Sequence, residues 1–251
     1  MTTQAATTDP AAARRQRLLT YTQRVERLCH KDPGARSALR GGLRRGINDR
    51  LTQRMHRFVA PWLPDHALGS DTDQRAYYAV ASMIAAQPRS GSATADPPDE
   101  RAADGGAAAS PAETPGEPDA GAPAEPSDAQ RYGASLGAAF AAAVTTGPGR
   151  DKAMRESGAE ARLNLLTRQS IDGLHRHLPA AVGYLRSVDV PVDWPQLLSD
   201  LLAWPQHSGR ISRRWLQDYY RQRSADEHKR AQQADAEATA LEESSQFEAG
   251  G

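Results

Sequence analysis

Residues 32–40 read Asp32-Pro33-Gly34-Ala35-Arg36-Ser37-Ala38-Leu39-Arg40. An aspartate followed directly by proline is a helix start. The carboxylate accepts from the free backbone N–H groups, and the fixed φ of proline suits the first helical position. From this start Leu39, Leu43 and Ile47 recur at i, i+4 and i+8, which predicts a helix. The same period extends upstream, where residues 14–31 set Leu18, Tyr21, Val25, Leu28 and Cys29 on one face. Downstream, a third helix from about Asn48 aligns Leu51, Met55, Phe58 and Trp62 before Pro64. A fourth, opened by Asp71 or Thr72, aligns Tyr77, Val80, Ala81 and Ile84. Further along, helices are predicted over 132–144, 155–168, 171–188, 194–203 and 208–221, with Pro179 kinking or splitting the longest. No segment shows the strict alternation of a half-buried strand.

The charge is uneven. The 251 residues carry 31 Lys+Arg against 31 Asp+Glu, a formal net of zero. Residues 14–87 hold 14 basic and 6 acidic groups, and residues 130–223 hold 13 and 8. Residues 88–129 hold 2 basic and 9 acidic, and residues 224–251 hold 2 and 7. The 88–129 stretch also carries 8 prolines and no large apolar residue, so it cannot bury enough surface to offset its ordering entropy. The expected class is all-α: two small helical bundles, 14–87 and 130–223, joined by a disordered acidic Pro/Ala/Gly-rich insert at 88–129. A disordered N-terminus (1–13) and a disordered acidic tail (224–251) complete the chain. The N-terminus has no apolar run of signal-peptide type, and no segment approaches a membrane span. A cytoplasmic protein with no membrane partner is expected.

All but 3 of the basic residues are arginine, whose planar fork suits phosphate. Arg14, Arg17, Arg24, Arg27 and Lys31 cluster away from the apolar face of the first helix. Arg36, Arg40 and Arg44 form an i, i+4, i+8 stripe on the second, and Arg50, Arg54 and Arg57 repeat it on the third. The last helix carries Arg210, Arg213, Arg214 and Arg221. Acidic partners are scarce, with only Asp32 and Asp49 between residues 31 and 57. Two readings fit: sequence-independent binding to nucleic-acid backbone, or a solvated face in an Arg-rich protein. A helical adaptor whose arginines meet acidic protein partners is the alternative function. The residues offer no catalytic set, so an enzyme is not expected. His175 and His177 stand two apart, on different sides of a helix, and share no metal. The single cysteine, Cys29, excludes a disulfide framework and lies on an apolar face. Residues 147–152 lack the spacing of a phosphate loop. Trp62, Trp194, Trp204 and Trp215 fall at core spacing and are expected inside. Neither cofactor nor metal is expected.

Four blocks resemble a known family. Asp32-Pro33-Gly34-Ala35-Arg36-Ser37-Ala38-Leu39-Arg40 is the first, and Phe58-Val59-Ala60-Pro61-Trp62-Leu63-Pro64 the second. Ser135-Leu136-Gly137-Ala138-Ala139-Phe140-Ala141 is the third. The fourth runs from Val192-Asp193-Trp194-Pro195 through Leu201-Leu202-Ala203-Trp204 to Ile211-Ser212-Arg213-Arg214-Trp215-Leu216-Gln217-Asp218-Tyr219-Tyr220. In this order they are similar to the small subunit of the type I-E CRISPR Cascade complex, the CasB family. The resemblance implies a non-catalytic all-α subunit, present as two copies along the complex. Its implied role is to stabilise the guide RNA–target DNA heteroduplex and to guide the displaced strand. The implied partners are the other Cascade subunits, guide RNA, target DNA with its displaced single strand, and a second copy of the chain. By position it implies backbone contacts from Arg40, Arg210, Arg213 and Arg214. Arg162 and Arg168 fall where the family has a basic helix. With the stripe residues, the candidate nucleic-acid-binding set is Arg24, Arg27, Arg36, Arg40, Arg44, Arg162, Arg168, Arg210, Arg213 and Arg214. Gly41 and Ala138 stand where the family has arginine.

Overall fold

The computed structural model describes residues 9–88, 133–145 and 152–249. Every regular element among them is helical: α1 (Pro10–Lys31), α2 (Pro33–Arg40), α3 (Arg50–Gln53), α4 (His56–Val59), a 3-10 turn (Ala60–Trp62), α5 (Asp65–Leu68), α6 (Asp71–Ala85), α7 (Leu136–Val144), α8 (Glu156–Thr167), α9 (Ile171–Ser187) and α10 (Trp194–Ala249). The all-α expectation holds. The expected disordered insert falls almost wholly on residues 89–132, outside the described residues.

The start at residue 32 forms as the sequence predicts. Asp32 Oδ1 accepts from the backbone N–H of Gly34 (2.8 Å) and Ala35 (3.0 Å). The end does not. α2 stops at Arg40, and Gly41 and Gly42 turn the chain before Leu43 and Ile47 can join the helix. Gly42 is buried beside Met55, and a methyl group added there would fall on the Met55 sulfur. Arg44 follows with φ 62°. The expected third helix is likewise broken: the chain tightens to i→i−3 bonds at Arg54 and Met55 between α3 and α4, and α4 ends at Val59 because Pro61 cannot donate to continue it. α9, by contrast, runs unsplit through Pro179, flanked by buried Leu178, Ala181 and Val182. The last two expected helices lie on either side of His207, whose φ −133° and ψ 25° interrupt α10 just after Pro205.

The helices before and after residues 89–132 share one core. α6 lies at its centre and touches α1, α2, α4, α5, α9 and α10. Tyr21 of α1 donates its hydroxyl to the Tyr77 carbonyl of α6 at 2.9 Å, with the two rings edge to face. α10 packs most extensively on α7. Trp204 and Trp215 are fully buried, with ring centroids 5.2 Å apart. Leu163, Leu166, Leu174, Leu178 and Leu185 are buried with them, each contributing roughly 2 kcal/mol of transfer free energy. Past Arg223, α10 continues helically to residue 249, where a disordered acidic tail was expected. Residues 224–239 are almost entirely exposed. Their Ala, Glu, Gln, Lys and Arg content favours helix without packing.

Candidate nucleic-acid interface

The local fold sorts the ten candidate arginines by what each touches. On α1, the buried face takes Leu18, Tyr21, Thr22, Val25 and Cys29, which leaves the arginines to the other side. Burial pushes the Cys29 thiol up to about 11, so it is protonated and inert at neutral pH. Arg27 is exposed and its Nε donates to the Gln23 carbonyl one turn back, at 3.3 Å. Arg24 is half-buried and sits over the Trp62 ring, its guanidinium carbon 3.1 Å from the centroid.

α2 splits its stripe. Arg40 and Arg44 are exposed. Arg36 is half-buried and donates through Nε to the Ala85 carbonyl (3.0 Å) and through Nη2 to the Gln87 carbonyl. It therefore caps the C-terminal end of α6, where free carbonyls and the helix dipole both favour a cation. The neighbouring Arg45 pairs with Asp49 at 3.1 Å.

The second half divides in the same way. Arg168, Arg210 and Arg213 are exposed, the last two one turn apart on α10. Arg162 is half-buried, donating to the Gly158 carbonyl at 3.0 Å and stacking 4.0 Å over the Tyr184 ring. Arg214 is bonded to Asp200, a carboxylate with only 4% of its side chain exposed. Asp200 also accepts from Gln196 Nε2 (2.8 Å) and Trp215 Nε1 (2.7 Å). Burial pushes its carboxyl up, while Arg214 pulls it down.

The arrangement therefore offers Arg27, Arg40, Arg44, Arg168, Arg210 and Arg213 to a ligand. Arg24, Arg36, Arg162 and Arg214 also brace the fold. The sequence reading missed several residues. Trp62 was expected in the core and is 44% exposed. The signal for it was present: Pro61 and Pro64 bracket the residue and end the helix that would have carried it inward. Arg223 is buried and holds Glu156 at 3.0 Å, joining α10 to α8. His175, Arg75 and Asp172 meet where α6 packs on α9. Among the described residues no group of three His, Cys, Asp or Glu side chains is placed to hold a metal ion. None of the described helices is long and apolar enough to cross a membrane.

Comparison with known proteins follows this geometry. The family model of the CRISPR-associated protein Cse2 matches residues 35–220. Six solved chains are similar in structure. One, from a CRISPR RNA-guided surveillance complex, is 33% identical with a TM-score of 0.62, and the match covers 86% of this chain and 98% of that one. A second, from such a complex before nicking, is 31% identical with a TM-score of 0.63 over 86% and 98%. The crystal structure of M. ruber CasB is 20% identical with a TM-score of 0.50 over 86% and 97%, a likeness of fold. No curated protein matches by sequence.

Proposed function

The chain belongs to the CRISPR-associated Cse2 family, and on that premise we propose that it is a non-catalytic structural subunit of a type I-E CRISPR RNA-guided surveillance complex in the cytoplasm. Its task is to hold nucleic-acid backbone, stabilising the heteroduplex of guide RNA and target DNA and the displaced strand. Base pairing in such complexes reads the sequence, and the protein reads charge and shape. The partners are the other subunits of the complex, guide RNA, target DNA and a second copy of the chain.

The observation that carries this reading is the exposure of Arg27, Arg40, Arg210 and Arg213 on helices that bury another face, and of Arg44 and Arg168 in the turns that follow α2 and α8. Guanidinium groups open to solvent are the groups that displace counterions from phosphate. The test is a binding titration of the reconstituted complex at two salt concentrations. Affinity should fall steeply with salt, with a log–log slope reduced by about one for each of these arginines changed to glutamine. Affinity insensitive to salt sinks the reading, as does co-purification with acidic proteins alone after nuclease treatment.

A further inference from the structure

Among the described residues Trp62 is the tryptophan that the fold leaves without a place in the core. It ends the 3-10 turn Ala60–Trp62 and exposes 44% of its surface. The other tryptophans, Trp194, Trp204 and Trp215, are all buried. Exposing an indole forgoes a large burial gain, so its position calls for a reason. One face of the ring is covered by the Arg24 guanidinium, 3.1 Å from the centroid. A cation seated on the π-face fixes the ring in place. The surroundings are basic. Arg27 is exposed one turn beyond Arg24, and Arg54 and Arg57 are exposed on the segment leading to Trp62. Between residues 50 and 70 the only acidic residue is Asp65.

An exposed, immobilised aromatic amid cations is the combination that binds single-stranded nucleic acid, because every base has a π-face and every linkage a charge. We propose that the Trp62 indole, braced by Arg24, is a stacking platform for an unpaired base, with Arg27, Arg54 and Arg57 holding the adjoining phosphates. This rests on the backbone-binding reading and adds a base contact to it. It also reassigns Arg24 from phosphate contact to support of the ring. An exposed indole also suits a protein contact, and Leu68 is 53% exposed six residues further along the chain, so a protein contact at Trp62 is the competing outcome.

The experiment uses the full chain with two probes of equal length, an oligo-dT strand and an abasic strand that keeps the phosphates and lacks the bases. Tryptophan emission should be quenched by oligo-dT and not by the abasic strand. Trp62→Ala should remove that quenching and weaken oligo-dT binding about tenfold. Affinity for the abasic strand and the salt slope should stay unchanged. Trp62→Tyr, which keeps an aromatic face, should retain most of the affinity. Unchanged oligo-dT affinity in Trp62→Ala overturns the platform while salt-dependent binding leaves the backbone reading intact. An equal loss on both strands also overturns it. So does impaired assembly with partner subunits at unchanged oligo-dT affinity, which assigns the indole to a protein contact. Absence of salt-dependent binding to either strand, by the chain and by the reconstituted complex, removes the backbone reading and the platform together.

Discussion

Arg213 and Arg214 are neighbours in sequence and opposites in chemistry. Arg213 is exposed, whereas Arg214 reaches a carboxylate buried beneath Trp215. Leaving Asp200 without its cation strands a charge in the core, a loss of about 3 kcal/mol. Arg214→Gln should therefore lower the melting temperature by roughly 10 °C. Arg213→Gln should leave melting unchanged and weaken nucleic-acid binding with a shallower salt slope, which calorimetry and a salt titration together would show. The reverse assignment would place Arg214 at the ligand and Arg213 in the fold. Arg36 and Arg40 repeat the contrast on α2, where Arg36 is consumed by the carbonyls of Ala85 and Gln87. The sequence marks the arginines as a population and cannot sort them. What distinguishes Arg214 is a partner 14 residues away across the His207 interruption, and what distinguishes Arg36 is the end of a helix 49 residues downstream.

At the level of helices, the start at Asp32 was legible because capping is local, and its carboxylate accepts from the backbone N–H groups of the helix it opens. The caps Ser70 and Ser135 were not: the sequence placed those starts at Asp71 or Thr72 and at residue 132, since the apolar period alone does not show which side chain turns back to the first N–H groups. Ends were less legible, since Gly41 and Gly42 stop α2 in a stretch whose apolar period continues to Ile47. Close packing between helices was not legible at all. Gly137 of α7 lies so near α10 that a methyl group added there would fall on the Trp215 carbonyl. Glycine is a poor helix former, and alanine in its place would favour α7 by about 1 kcal/mol if the site were open. Gly137→Ala should instead destabilise the protein by about 2 kcal/mol, measured as a lower urea midpoint at unchanged slope. The exposed continuation of α10 makes the opposite case. Ending the chain after Arg230 keeps the Arg223 pairs with Glu156, Asp226 and Glu227 and removes a continuation whose residues 231–239 are all exposed. Thermal melting should move by less than about 2 °C.

For the molecule as a whole, the sequence showed two runs of helices and gave no account of how they join. They meet through α6, which packs on α9 as well as on α1 and α2. Part of that contact is polar. Arg75 of α6 is bonded to Asp172 of α9, and the His175 ring beside them is buried with neither nitrogen hydrogen-bonded among the described residues. Burial, with Arg75 adding to it, holds the imidazole down at about 4, against the weaker opposing pull of Asp172. The unfolded chain protonates this histidine at about 6.5, so between pH 6.5 and 4 the unfolded state binds the extra proton. The stability associated with His175 is present in full above pH 6.5 and drains away as pH falls towards 4, at up to about 1.4 kcal/mol per pH unit. Urea midpoints recorded from pH 7 to pH 5 should decline for the native chain. In His175→Leu the decline should be shallower by that increment, with no loss of stability at pH 7, because the leucine removes two unsatisfied nitrogens from the interface. Parallel pH profiles for the two proteins would show that burial of the His175 ring carries no pH-dependent stability, and would leave the Arg75–Asp172 pair and the apolar contacts to account for the junction.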